Sequence, residues 1–372
     1  MKKSIFSIPV YVIFFCLFLI LSSCNKENPV EPPPPPPSGY QFDSARYDWQ
    51  IDTLIGYGYS PNGYFVLDSS DYYMVTDNSQ FIHHDKYGFH FYTLPPLMIP
   101  AHVYGKNKNE IFVGGNQLFI GSNNTLLRLV LWNGSTLKDI PIPDTLFNYD
   151  QFISSIYKTN DNMIWLATNL GKIIKYDGTN FTYYYFSNSY HFGAGVIGFY
   201  EQENQFYALA IKLDSYGWYD SVFIFRYTNN FWEMDYERGY PEPHTYNNFF
   251  EQINGYLITL EKDGLYKFSG FSFIKIQNLD EKMFGKYGIF NTFTGGSENN
   301  LIIEAPFGDF GNTGLYHWNG IKWSKELSDI ISYFHAVFYA NTQYFFFRED
   351  WLNSYVYKAK PKTFQINLKS KK

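Results

Sequence analysis

Six times along this chain a strand-forming segment ends on a bulky residue, meets a turn, and is answered five positions later by a second bulky apolar residue. The anchors are His84, Trp132, Tyr176, Tyr227, Phe268 and Trp318, and the answering residues are Phe89, Leu137, Phe181, Trp232, Phe273 and Trp323. Tyr357 supplies a seventh anchor without a glycine turn. Successive anchors lie 39 to 51 residues apart, about 45 on average. That interval holds four strands of about six residues and four connections of about five, which is one four-stranded antiparallel sheet. Sheets recurring with a period of about 40 to 50 residues stack as blades around an axis. The expectation is an all-β chain, a β-propeller of four-stranded antiparallel blades, seven in number with six or eight as alternatives. A β-sandwich accounts less well for so regular a recurrence.

The spacing inside each repeat has a physical reason. Residues two apart on a strand share a face, so Ile82 with His84, Val130 with Trp132, Tyr266 with Phe268 and Tyr316 with Trp318 point one way, while Phe81, Leu129, Leu265 and Leu315 point the other. A sheet apolar on both faces needs a neighbour on each side. Asn133-Gly134, Asp177-Gly178 and Asn319-Gly320 mark turns that accept positive φ. In the seventh repeat the outer strand is read at Phe364 to Leu368, and the unassigned segment Tyr47 to Leu54 is available to pair with the last blade and close the ring. An aromatic content of 22% suits strands rather than helices.

The amino-terminal segment has a different character. Lys2 and Lys3 precede an apolar run from Ile5 to Leu21, interrupted by Pro9 and followed at once by Asn25-Lys26-Glu27-Asn28. Such a run is too short and too broken for a permanent span, and reads as a secretory signal over residues 1–23. Leu21-Ser22-Ser23-Cys24 resembles the lipobox of bacterial lipoproteins. The resemblance implies cleavage before Cys24, acylation of that cysteine with palmitate-like chains, and stable anchoring in a membrane. Residues 24–46 then form a stalk, in which the run Pro32 to Pro37 spans about 19 Å as polyproline II. Residues 47–372 are the propeller. Cys16 leaves with the signal and Cys24 carries lipid, so no disulfide staples the mature fold, which must rely on its core.

The phrase Ile164-Trp165-Leu166-Ala167-Thr168-Asn169-Leu170-Gly171, followed by Ile173-Ile174-Lys175-Tyr176-Asp177-Gly178, resembles the two-component-regulator propeller repeat. The third repeat matches along its length, the fifth and sixth in their second halves. The resemblance implies a propeller that often serves as an extracellular sensor; no kinase module follows here, so signalling by this polypeptide alone is not expected.

Chemistry is sparse. The sequence holds no GxSxG, HExxH, Walker, EF-hand or CxxC motif. Gly193 to Gly198 matches GxGxxG with Asp214 downstream, but a strand, a turn and another strand follow where a dinucleotide site needs a helix, so the glycines are assigned to an inner strand near a crowded axis. His83, His84 and His90 cluster, with His84 and His90 read as sharing a face; three or four supported ligands are not apparent, and no metal or cofactor is expected. Glu201, Glu203, Glu304 and Asp309 are the acids a glycan-cleaving enzyme would draw on, without a recognisable pair. No catalytic residue is assigned. The formal charge of −6, without a basic stripe, argues against nucleic acid.

The even-numbered repeats carry long excursions between their second and third strands, Gly114 to Asn124, Lys212 to Asp220 and Ala305 to Thr313. Asp214, Tyr216, Trp218, Tyr219, Asp309 and Phe310, joined by Asp350 and Trp351 of the seventh repeat, are the candidate ligand-binding residues, since rings beside acids suit sugars or peptides. The expected protein is a monomeric lipoprotein of a bacterial cell envelope, placed in the outer membrane, whose propeller binds a glycan or an envelope protein without catalysis. Lys26-Glu27 after the lipidated cysteine resembles surface-export signals of Bacteroidota lipoproteins. The alternatives are a polysaccharide-cleaving enzyme and an accessory factor in outer-membrane assembly or sensing.

Overall fold

The computed structural model describes residues 47–55, 61–68, 70–118, 125–143, 151–185, 194–213, 219–244, 249–261, 263–279, 292–307, 312–330, 336–340, 342–349 and 353–361. Every regular element among them is a strand, beginning with β1 (Tyr47–Ile55). Blade 1 is β2 (Pro61–Val66), β3 (Tyr72–Thr76), β4 (Gln80–Asp85) and β5 (Gly88–Thr93); blade 2 is β6 (Met98–Asn107), β7 (Glu110–Leu118), β8 (Thr125–Trp132) and β9 (Leu137–Pro141). Blade 3 is β10 (Ile153–Lys158), β11 (Ile164–Thr168), β12 (Lys172–Tyr176) and β13 (Phe181–Tyr185); blade 4 is β14 (Ala194–Gln202), β15 (Gln205–Leu213), β16 (Tyr219–Thr228) and β17 (Phe231–His244). Blade 5 is β18 (Phe249–Ile253), β19 (Tyr256–Glu261), β20 (Gly264–Phe268) and β21 (Phe273–Asn278); blade 6 is β22 (Thr292–Ser297), β23 (Asn300–Phe307), β24 (Asn312–Trp318) and β25 (Trp323–Ile330). Blade 7 is β26 (Ala336–Ala340), β27 (Gln343–Glu349), β28 (Asn353–Pro361) and, on its outside, β1.

The five-residue cadence is strand pairing seen in one dimension. His84 pairs with Phe89, Trp132 with Leu137, Tyr176 with Phe181, Tyr227 with Trp232, Phe268 with Phe273 and Trp318 with Trp323. Two kinds of turn satisfy the spacing. In the Asx-Gly turns the first side chain caps the loop: Asp177 Oδ1 accepts from the backbone N–H of Thr179 and Asn180 at 2.8 and 2.7 Å, and Gly178 sits at φ +95°. In blade 4 Asn229 and Asn230, at φ 48° and 68°, make a two-residue turn and add the pair Thr228 with Phe231.

Both faces of the blades are apolar, as the strand parity requires. Phe81 of blade 1 packs with Trp132 of blade 2 at 5.6 Å between ring centres, whereas Ile82, on the opposite face, joins Phe345 and Phe347 of blade 7. The same arrangement recurs between blades 2 and 3, 3 and 4, 4 and 5, and 5 and 6. The core is therefore a ring of interblade clusters, around innermost strands β2, β6, β10, β14, β18, β22 and β26. Contacts of β26 with β2 complete the circle.

Closure differs from the sequence expectation in one respect. The fourth strand of blade 7 is β1, paired along its whole length from Tyr47 with Pro361 to Ile55 with Asn353. Phe364 to Leu368 therefore do not supply that strand, and they lie outside the described residues. Blade 7 joins the two ends of the domain, so the sheet cannot open without separating β1 from β28. This removes the free edge that a linear array would leave.

Alternating strand directions sort the connections onto two ends. Links between blades and turns between second and third strands share one end, here the crossover face; turns joining first to second and third to fourth strands share the other, the turn face.

Candidate functional site

Of the sequence-predicted ligand-binding residues, Tyr219 alone is described, and it lies on the crossover face. Tyr219 opens β16 there, opposite Leu213 and His244. The strands flanking the other candidates, β15 and β16, β23 and β24, and β27 and β28, also end on that face. Asp214, Tyr216, Trp218, Asp309, Phe310, Asp350 and Trp351 themselves lie outside the described residues, as does Cys24. In blade 2 the first part of the excursion expected over Gly114 to Asn124 is paired strand, because β7 runs on to Leu118, and the rest lies outside the described residues.

Sequence reasoning missed a second set on the same face. Leu97, Phe152, Leu170, Tyr185 and Ile197 are exposed bulky apolar side chains at the crossover ends of blades 1 to 4. Polar contacts fix the backbone at Leu97, Phe152 and Leu170. Leu97 follows Pro95 and Pro96 at φ +60°, and its segment is fixed by Leu94 N–H to Ser79 O at 2.9 Å and by Gln117 Nε2 to Pro96 O at 2.8 Å. Arg128 Nε donates to Gln117 Oε1 at 2.7 Å and its Nη1 to Asp139, which orients that glutamine. A leucine in the left-handed region is sterically costly, so the surrounding bonds must impose it.

Leu170 shows what the third-repeat motif does physically. Thr168 Oγ1 accepts from Lys172 N–H at 3.1 Å and from Gln151 Nε2 at 2.8 Å, while Gly171, at φ +75°, donates to Thr168 O. Asn169 exchanges bonds with the backbone of Phe152, through its Oδ1 at 2.9 Å and its N–H at 3.3 Å. Leu170 is the tip of a turn whose other members are all engaged. Nearby, the Lys172 ammonium lies 5.3 Å from the Tyr185 ring centre, and burial depresses the lysine's pKa.

Bulges aim the inner strands. The register of the first strand shifts by one residue at Asn62, Ala101, Ser154 and Ile197 in blades 1 to 4. A bulge bends its strand and redirects a side chain, which is how Ile197 comes to be exposed on a strand beside the axis. The described part of the GxGxxG stretch, Ala194 to Gly198, is thus in strand β14, as expected. Gly195 is there for close approach, since a Cβ would stand 2.7 Å from Asn169 O; Gly198 has open space. Two further inner-strand groups are desolvated. His102 of β6 is pushed down to about 4 and Glu251 of β18 up to about 8, so both are held neutral at pH 7.

The described acids of the set do not gather. Glu201 and Glu203 sit at the turn end of blade 4, and Glu304 is buried in β23 of blade 6. The histidine geometry corrects the parity expectation: the two-residue turn Lys86-Tyr87 pairs His83 with His90, so those two share a face and His84 points oppositely. His83 is bonded to Asp71 and stacks on Tyr73, and His90 is bonded to Asp85 at 3.0 Å. Among the described residues no cluster suits a metal.

No protein-family model matches the sequence, and no curated protein matches it. Solved structures do. YCF48 bound to D1 peptide superposes with a TM-score of 0.58 at 11% identity, over 88% of this chain and 99% of that one. YCF48 from Cyanidioschyzon merolae gives 0.55 at 12%, over 84% and 98%. Chaetomium thermophilum Raptor gives 0.54 at 9%, over 86% of this chain and 29% of its own. At these identities the likeness is one of fold.

Proposed function

We propose that this chain is a cell-envelope lipoprotein, acylated at Cys24 and held at the outer membrane, whose propeller is a non-catalytic binding module for a polypeptide partner. The partner lies on the crossover face over blades 2 to 4. The observation that carries the reading is the set Leu97, Phe152, Leu170, Tyr185 and Ile197, which are exposed at one end, the first three on segments held by hydrogen bonds and Ile197 at a bulge. Rigid apolar tips beside bulged strand edges suit an extended peptide, whose side chains fill the gaps while its backbone meets the edges. YCF48, with the same architecture, is known in complex with a D1 peptide, which supports a peptide rather than a sugar as partner.

Selection of a random peptide library on the propeller tests this. Leu170→Asp should weaken the selected peptides at least about tenfold, because it places a charge in a desolvated contact, while Thr179→Asp on the turn face should leave them unchanged. Peptides indifferent to Leu170→Asp, or saturable glycan binding without peptide binding, would refute the assignment. Metabolic labelling with palmitate, abolished by Cys24→Ser, checks the anchor, and protease shaving of intact cells reports whether the propeller faces outward.

A further inference from the structure

We infer that the turn face is a membrane-docking surface, on which the tips of blades 4, 5, 6 and 1 rest in the headgroup layer of the bilayer that holds the chain's lipid. This rests on the acylation of Cys24 proposed above.

The direction of β1 comes first. Its register with β28 puts Tyr47 at the turn face and Ile55 at the crossover face. The described domain therefore begins on the turn face, at the outside of blade 7. That face also carries a distinct group of exposed apolar residues, one at each of four turns between third and fourth strands: Tyr87 (78% exposed), Phe231 (47%), Phe271 (78%) and Ile321 (57%). They belong to blades 1, 4, 5 and 6, so with blade 7 they form a continuous arc centred near the entry strand.

The remaining blades contrast with the arc. The equivalent turns of blades 2 and 3 are Asn133 to Thr136 and Asp177 to Asn180, wholly polar apart from their glycines. The turns nearer the axis are polar as well, among them Asn160-Asp161, Glu203-Asn204 and Glu298-Asn299. Among the described residues of this face, exposed bulky apolar turn residues are thus confined to one side of the outer rim, which tilts the propeller with blades 2 and 3 raised. Exposed Lys86, Lys322 and Lys360 lie on the same arc, suited to anionic headgroups. Aromatic and aliphatic tips at this depth bury area without dehydrating the backbone. A tether of some 22 residues keeps the local concentration of bilayer near the millimolar range, so weak contacts suffice to populate the docked state.

The test uses the full acylated chain in vesicles of phosphatidylethanolamine and phosphatidylglycerol. Fluorophores are placed singly at Lys86→Cys, Ser272→Cys, Thr179→Cys and Asn78→Cys, and quenched by nitroxide lipids. The first two should be quenched at least about threefold more strongly than the last two, as insertion of about 5 Å requires. Combining Tyr87→Ser, Phe271→Ser and Ile321→Ser should abolish that difference while the chain still floats with the vesicles. Equal quenching at all four sites, with acyl mass present on Cys24, would overturn the docking alone; an unacylated Cys24 would overturn both it and the anchor.

Discussion

Replacing Asp52 with alanine should destabilise the propeller by about 3–5 kcal/mol. Asp52 lies on the closing strand and joins Lys358 of its own blade to Tyr72 and His84 of blade 1. Its Oδ2 accepts from Lys358 Nζ at 2.5 Å and from Tyr72 OH at 3.0 Å, with His84 Nε2 at 3.6 Å, and its Oδ1 accepts from Gln50 at 2.9 Å. The Lys358 and Asp52 side chains are only 7% and 12% exposed, so screening by water is small. Burial alone would raise the Asp52 pKa, but the lysine and tyrosine outweigh it and hold the carboxyl below the usual range. Removing the carboxylate strands a nearly buried ammonium, and breaking such a pair typically costs about 3–5 kcal/mol. An apolar pair of similar volume is often neutral, so Asp52→Leu combined with Lys358→Met should recover most of the loss. Urea unfolding followed by tryptophan fluorescence reads both variants; the single change should lower the midpoint by roughly 1 M or more at unchanged slope. A loss below about 1 kcal/mol, or a double variant no better than the single, would refute the view that the closing strand is held to blade 7 by a desolvated ion pair.

Other outcomes follow from packing and titration. Gly115→Ala should cost about 2–3 kcal/mol, because its Cβ would stand 2.2 Å from Ile99 O, whereas Gly198→Ala, with nothing within 4 Å, should stay within about 0.5 kcal/mol; thermal melts compare them. Trp165→Ala removes a ring packed on Phe206, Tyr227 and Trp232 at 5.2, 4.7 and 5.5 Å and should lose about 3–5 kcal/mol by denaturant titration. Burial pushes His317 down to about 3, so between pH 3 and 6.5 the unfolded chain binds one more proton than the folded one. Stability should therefore fall as pH drops below about 6.5, and His317→Gln should flatten that fall by about 1.4 kcal/mol per pH unit, measured by denaturation at several pH values.

Much of the architecture was legible because side-chain pairing leaves a trace along one dimension. A residue facing its partner across a short turn is separated from it by a fixed count, so Trp132 with Leu137 and Trp318 with Trp323 appear as a cadence. His84 is the instructive exception among the anchors: besides packing on Tyr72 and Phe89 it faces Asp52 on the closing strand, so a polar ring stands where the other blades use a larger apolar or aromatic one. Tyr47 to Leu54 was legible as the segment that closes the ring, but its place as the fourth strand of blade 7 was not. The turn missing after Tyr357 was itself the signal that the next strand is not contiguous, yet Phe364 to Leu368 had the right alternation to fill the gap. The face shared by His83 and His90 depended on turn length, which parity alone does not supply. At the binding face, Ile197 is exposed by a bulge and Leu97 by a positive φ, and neither conformation has a composition that distinguishes it from ordinary strand and loop.

Hydrogen exchange on the full chain, with and without a selected peptide, tests the central claim most directly. Protection should rise at 94–97, 151–152, 169–171 and 194–198 and leave the turns at 86–87, 229–230 and 270–272 unchanged. Protection confined to the turn face, or spread evenly over all seven blades, would contradict it.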